Sequence, residues 1–491
     1  MKVPFELLFA VDDDEEDIKF SRSDDDVTSF SLCSPLLFWC CSTTTALCIS
    51  LTERLPIGLL KDSLTASEVC CNNTNTLFED KSLACGFKYN HQSNCSKMHI
   101  FTPEISWHSQ DAIFAVDVQN KISGSSYRVA TAGIEKVIKI WKIRLPMKSD
   151  EDIAVDFLSN LRRHQSTVNA IRFSPDGSLL ASGDSEGVVN IWKMDESTDY
   201  PDIFKTSEED EPENLENWIV KKRFREHKAE SDVCDMCWSP DSKYLLTCSS
   251  DSTIIVWDML AEKKHKLVHE NSKRFSLGIA WDPKNEYFVT MSNDRFMSVY
   301  STINYQKLNS IVNAKLPSQN SPDKAPSTSK LFHDTSLMSY VRRPSFSPDG
   351  QFFIAPAGCV ESGACKLAHR SFIFSRANMK QPCVILPSPK EATIVVSFCP
   401  LLFKLRPCDK DPLLKLPYRF IYAILTKKSV VFYDTQHVQP LAFVTNIHYI
   451  ASTLHKSKDG KFMIVSSEDG YCTIIATELD SFGEIYVEVN K

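Results

Sequence analysis

Val168-Asn-Ala-Ile-Arg-Phe-Ser-Pro-Asp-Gly177, then Leu179-Leu-Ala-Ser-Gly183, then Val189-Asn-Ile-Trp192, reads as three short apolar runs separated by two polar turns. The first run alternates in and out, the Ser-Pro-Asp-Gly group is turn chemistry, and the third run ends in an aromatic residue, so the segment is an antiparallel meander. The same order recurs three times. It is seen in Val233-Cys-Asp-Met-Cys-Trp-Ser-Pro-Asp241 with Tyr244–Asp251 and Ile255-Val-Trp-Asp258, and in Leu277-Gly-Ile-Ala-Trp-Asp-Pro283 with Tyr287–Met291 and Ser298-Val-Tyr300. The fourth copy is Lys458-Asp-Gly460 with Phe462–Asp469. No long amphipathic helix interrupts these units, and self-similarity at a fixed period decides the architecture before any single residue does.

A histidine precedes the first run of several units (His108, His164, His227, His269), and the third run closes at Trp141, Trp192, Trp257 and Tyr300. An acidic residue stands six positions before each closing aromatic: Glu135, Glu186, Asp251 and Asp294. A turn carboxylate that accepts from the histidine would satisfy a buried polar pair and fix the turn, so these histidines are expected to be structural. The pattern resembles the WD-repeat β-propeller family. That resemblance implies an all-β, seven-bladed propeller over 98–491, with first strands near Ile113, Val168, Val233, Leu277, Arg343, Ile394 and Tyr449. In the degenerate fifth and sixth units Phe374 and Tyr433 replace the closing Trp. The strand Ile100–Trp107 is expected to complete the last blade from outside, because an open ring would expose sheet edges. The mean unit of about 56 residues exceeds the usual ~40–45, so several loops carry insertions.

Residues 1–97 differ in kind. The chain has 491 residues and a net charge of −8, of which the first 97 contribute 15 acidic and 8 basic residues. Eight of the 17 cysteines lie there as well. No helical or strand period persists, and the segment is read as a disordered or artefactual extension. The uncharged stretch Phe30–Leu51 is long enough to span a bilayer. It contains Pro35 and four cysteines and has no basic run before it, so neither a signal peptide nor a membrane partner is expected. Cys234-Asp-Met-Cys237 has no second pair at zinc-finger distance and reads as a strand. No nucleophile elbow, P-loop or H-E-x-x-H motif is present, and no enzyme, cofactor or metal is expected.

Stretches outside the repeat consensus carry a narrower resemblance. Phe332-His-Asp334, Arg342-Arg343, Pro356-Ala-Gly-Cys-Val-Glu-Ser-Gly363, Phe374-Ser-Arg376, Leu416-Pro-Tyr-Arg419, Tyr433-Asp-Thr-Gln436, Asn446-Ile-His-Tyr449 and Asp469-Gly-Tyr-Cys472 occur in that order. Together they resemble the WD-repeat subunits of histone chaperones, the chromatin assembly factor 1 and HIRA-type family. The resemblance implies a nuclear scaffold that joins the large subunit of chromatin assembly factor 1 and helps place histones H3 and H4 on new DNA, touching DNA only indirectly. Family members carry a tail that docks on the anti-silencing-function histone chaperone; this sequence stops just after the last repeat, and that partner is the weakest expectation.

Three regions are candidates for contact with partners. Asp195–Asn217 holds ten acidic residues against Lys205. The plainer reading is a solvated loop; the functional one makes Glu208, Glu209, Asp210, Glu211 and Glu213 candidates for screening basic histone surface. Asn313–Ser339 reads as a flexible blade connector with a candidate phosphorylation site at Ser321-Pro322. Arg342, Arg343 and Arg376 are candidates for partner docking, with Arg370 and Lys380 beside them; arginine stems packed over strands would explain them equally well.

Overall fold

The computed structural model describes residues 98–487 apart from 120–125, 147–151, 196–212, 271–273, 317–326, 363–365, 388–390 and 409–411. The extension 1–97 and Ser321-Pro322 therefore lie outside the described residues. Seven four-stranded antiparallel sheets follow one another around a ring. Blade 1 runs Ile113–Val118, Ser126–Gly133, Ile138–Arg144 and Ala154–Leu161; blade 2 runs Val168–Phe173, Leu179–Asp184, Val189–Asp195 and Asn217–Phe224. Blade 3 is Val233–Trp238, Tyr244–Ser249, Thr253–Asp258 and Lys263–His269, and blade 4 is Ser276–Trp281, Tyr287–Ser292, Met297–Ser301 and Lys307–Ile311. Blade 5 is Ser345–Phe346, Phe352–Ser362, Lys366–Ser375 and Asn378–Pro387, and blade 6 is Thr393–Phe403, Arg419–Thr426, Ser429–Asp434 and Ala442–Thr445. Blade 7 takes Ala451–Lys456, Phe462–Ser467 and Cys472–Thr477 from the end of the repeat and Met98–Phe101 from its start.

The closing strand pairs Met98 with Thr477 and Phe101 with Ile474. It starts two residues before the expected Ile100 and stops well short of Trp107, because Pro103 has no N–H to extend a ladder. Closure also shows in the core. Seven apolar clusters fill the seven interfaces between adjacent blades, including that between blades 7 and 1, where Phe462 and Ile474 meet Ile113 and Val116. Inner strands are almost wholly buried, as in Val233–Trp238, whereas the outermost strand of blade 3, Lys263–His269, is largely exposed.

The turn after the first strand explains the Pro/Asp/Gly signature. Its fourth residue has φ +74° at Gly177, +60° at Ser242, +60° at Asn285, +66° at Gly350 and +73° at Gly460. Glycine reaches that region without strain. Just before it, Asp176, Asp241 and Asp349 each accept from a serine hydroxyl two residues back and from a backbone N–H two residues on.

Blade 5 departs most from the repeat. Its first strand begins at Ser345 rather than Arg343, since Pro344 removes a donor; Arg343 instead forms a parallel bridge with Val395 of blade 6. The region read as a flexible connector is partly regular. Asn313–Leu316 pairs with Ser327–Lys330, and Ala314, Leu316, Leu331 and Phe332 are buried in the interface of blades 4 and 5.

Candidate interaction surfaces

In blades 1 to 3 each histidine enters a chain that runs from a carboxylate through the imidazole and a hydroxyl to a tryptophan. His108 lies 2.7 Å from Glu135 and 2.8 Å from Thr131 Oγ1, which also accepts from Trp141 Nε1 at 2.8 Å. His227 joins Asp251 (3.3 Å), Thr253 (2.9 Å) and Thr247 (2.8 Å), and Trp257 Nε1 donates to Thr247. Burial pulls the His108 imidazole below its ordinary value, against the opposing pull of Glu135.

Two sequence expectations are corrected. In blade 2 the partner of His164 is Asp184, at 2.7 Å, and not Glu186, which is exposed. Asp184 also accepts from the backbone N–H groups of Glu186 and Val188, so the first residue of the turn holds its shape. Ser182 completes the chain to Trp192. In blade 4 His269 is exposed and does not meet Asp294. Its backbone pairs with Thr253 at the end of the outer strand of blade 3, seven residues before blade 4 begins. Asp294 pairs with Arg274 at 2.7 Å instead.

Of the arginines expected to dock a partner, Arg342 and Arg343 are buried and Arg376 is half-buried. Arg342 is 1% exposed, and its guanidinium donates to the carbonyls of Ser292, His333, Asp334 and Leu337. Arg343 reaches across the channel to Asp235 of blade 3 at 2.9 Å and to Thr453 of blade 7. Asp235 is itself fully buried and also takes Arg172 of blade 2 at 2.9 Å, and the two guanidinium groups hold its carboxyl below the usual range. Arg376 forks onto Asp282 of blade 4 at 2.8 and 2.9 Å, contacts Glu286, and lies over the Tyr287 ring. A buried charge must be paired or hydrogen-bonded: Arg343 and Arg376 pair across blades, and Arg342 is satisfied by carbonyls of blade 4 and of its own lead-in. Each of these residues is engaged in holding the scaffold together.

The acidic insertion divides. Glu208, Glu209, Asp210 and Glu211 lie outside the described residues, and Glu213 is exposed. Glu216 is no part of a free acidic surface, because Arg128 of blade 1 donates to its carboxylate at 3.0 Å. Cys234 and Cys237 sit on the inner strand of blade 3, where burial pushes both thiols up. Among the described residues no three His, Cys, Asp or Glu side chains are placed to hold a metal ion, and no helix is long and apolar enough to cross a membrane.

Sequence reasoning missed one surface. Phe114 is the second residue of the inner strand of blade 1, Tyr340 leads into blade 5, and their rings meet with centroids 4.9 Å apart. Tyr340 is 62% exposed, and Tyr449, entering blade 7, is 83% exposed. The repeat pattern requires no aromatic at Tyr340 or Tyr449, and nothing local in the sequence marks them as exposed.

The fold and these surfaces define a class first: a WD-repeat β-propeller whose interior is fully spent on holding its own blades and whose loops are what remain for partners. The profile described as the CAF1B/HIR1 beta-propeller domain matches residues 98–482. The B subunit of chromatin assembly factor 1 from Gallus gallus is 38% identical over 396 residues, covering 79% of this chain and 69% of the relative. The Mus musculus protein of the same name is 38% identical, with 79% and 68% covered. Protein HIR1 of Kluyveromyces lactis is 28% identical, with 77% of this chain but 42% of the relative covered. The chain belongs to the CAF1B/HIR1 β-propeller family.

Proposed function

We propose that this chain is a non-catalytic scaffold subunit of a nuclear histone chaperone, joining the large subunit of chromatin assembly factor 1 and helping deliver histones H3 and H4 to newly synthesised DNA in replication and repair. The observation that carries it is the 38% identity to the B subunit of chromatin assembly factor 1 across 79% of the chain. Blades 5 and 6, where the generic repeat is weakest, support it. The non-consensus motifs there interlock, with Arg419 donating to Asp434 at 3.2 Å and Tyr418 to Asp349 at 2.8 Å. The acidic residues Glu208 to Glu213 would compete with DNA phosphates for histone lysines and arginines. The test is nucleosome assembly coupled to DNA synthesis in an extract depleted of the endogenous subunit. Adding this chain with the large subunit should restore H3–H4 deposition, and a chain lacking 203–213 should bind histones more weakly with a shallower salt dependence. Restored assembly only on unreplicated DNA would favour a HIRA-type role instead.

A further inference from the structure

Blades 1 and 5 are not neighbours in the ring, so Phe114 and Tyr340 can touch only over the central channel. Tyr340 is held there from behind. Arg342 ties its loop to four carbonyls, Arg343 anchors in the channel, and Gly278 has no Cβ to collide with the Arg342 carbonyl. Glu468, in the turn between two strands of blade 7, lies close enough to Tyr340 for its charge to act on the phenol. Its backbone N–H donates to Ile450 O at 3.0 Å, next to the exposed Tyr449. Its half-buried carboxylate makes no hydrogen bond or ion pair among the described residues. Burial raises its pKa against the opposing pull of Lys427, and its charge, added to burial, raises the Tyr340 phenol.

A half-buried carboxylate with no ion pair among the described residues, set beside Tyr340 on a rigid mount, has a definite complement. Ring faces attract cations, and a guanidinium or ammonium would meet both the rings and the carboxylate. Because Tyr340 is already fixed, little ordering cost remains. We propose that this channel mouth binds an arginine or lysine side chain of a basic peptide segment, seated between Phe114–Tyr340 and Glu468 with Tyr449 along its path. The assignment does not depend on which complex the propeller joins. A nucleic-acid phosphate is disfavoured, since Glu468 and Asp469 would repel it.

The probe is a fluorescein-labelled ten-residue peptide of alternating Arg and Ser, titrated with the full chain at 150 mM salt and followed by anisotropy. Its citrulline counterpart, of equal shape and no charge, is the control. Saturable binding should weaken about tenfold with citrulline and about five- to tenfold in Tyr340→Ala and in Glu468→Gln. Melting temperatures should stay within about 2 °C of the parent's, since exposed sites cost little. Tyr449→Ala, the most exposed of the three, guards against a folding effect and should weaken binding more modestly. A chain lacking 203–213 should keep the same dependence on Tyr340 and Glu468, which separates this site from the acidic insertion. The proposal is overturned if the two peptides bind alike, or if binding vanishes with 203–213 while the Tyr340 and Glu468 variants bind like the parent.

Discussion

In blades 1, 2 and 3 the turn into the third strand is closed by a carboxylate, a histidine, a hydroxyl and a tryptophan in a hydrogen-bonded row. In blades 4, 5 and 6 the same layer holds stacked rings: Phe288 on Tyr300 with centroids 4.8 Å apart, Phe353 on Phe374 at 5.0 Å, and Tyr422 on Tyr433 at 5.6 Å. A hydrogen-bonded row is directional and pins each strand in register within one blade. A ring stack buries more apolar area but specifies orientation weakly. The second half of the propeller compensates with arginines. Arg376 ties blade 5 to blade 4, Arg343 ties the lead-in of blade 5 to blades 3 and 7, and Arg419 meets Asp434 within blade 6 with both side chains fully buried. The first half carries its polar rows within single blades, and the second half replaces them with ring stacks and buried arginines.

If that contrast is right, the largest single loss comes from the hub of the ties. Asp235→Ala would leave Arg172 and Arg343 buried without their carboxylate and is expected to cost about 3–5 kcal/mol in denaturant unfolding. A loss under about 1 kcal/mol would mean the channel network is incidental. Within the histidine rows, Asp184→Ala and Asp251→Ala should each cost about 1–3 kcal/mol, because a buried imidazole and turn N–H groups lose their acceptor. Glu186→Ala, two residues from Asp184 but exposed, should change stability by less than about 0.5 kcal/mol. Equal effects at 184 and 186 would reverse the assignment made for blade 2.

Acid should act on two histidines. Burial, reinforced by Arg172 and opposed by Asp117, holds His455 down to about 4. Burial with His369 and Arg342 nearby does the same to His333. Both lie below the ordinary 6.5, so the unfolded chain binds more protons between those values. Their contribution is complete above pH 6.5 and is lost as pH falls toward 4. Melting temperature should drop over that window, and His333→Gln should flatten part of the slope. An unchanged slope in that variant would remove His333 from the account. The smallest effect is expected from removing residues 1–97: a chain beginning at Met98 should bind the large subunit as well as the full chain, measured by co-purification.

The polar half of the propeller was legible in the sequence because its chemistry is local. His108, His164 and His227 stand at short spacing from their turns, and the Ser-Pro-Asp-Gly groups announce their conformation. Asp184 was missed because the turn offers two carboxylates, and spacing from Trp192 favoured the wrong one. His269 misled because the outer strand of blade 3 runs far enough to absorb it. The arginines were misread for a different reason. Arg343 and Asp235 are 108 residues apart, and no local pattern tells a buried guanidinium with a distant partner from a surface one. The same distance hides the channel mouth, where Phe114 and Tyr340 meet only once the ring has closed.

The most direct test of the functional claim is affinity purification of the full chain from nuclear extract, with the bound proteins identified by mass spectrometry. Recovery of the large subunit of chromatin assembly factor 1 together with histones H3 and H4 is the predicted result. Recovery of a HIRA complex or a cullin adaptor in their place would contradict it.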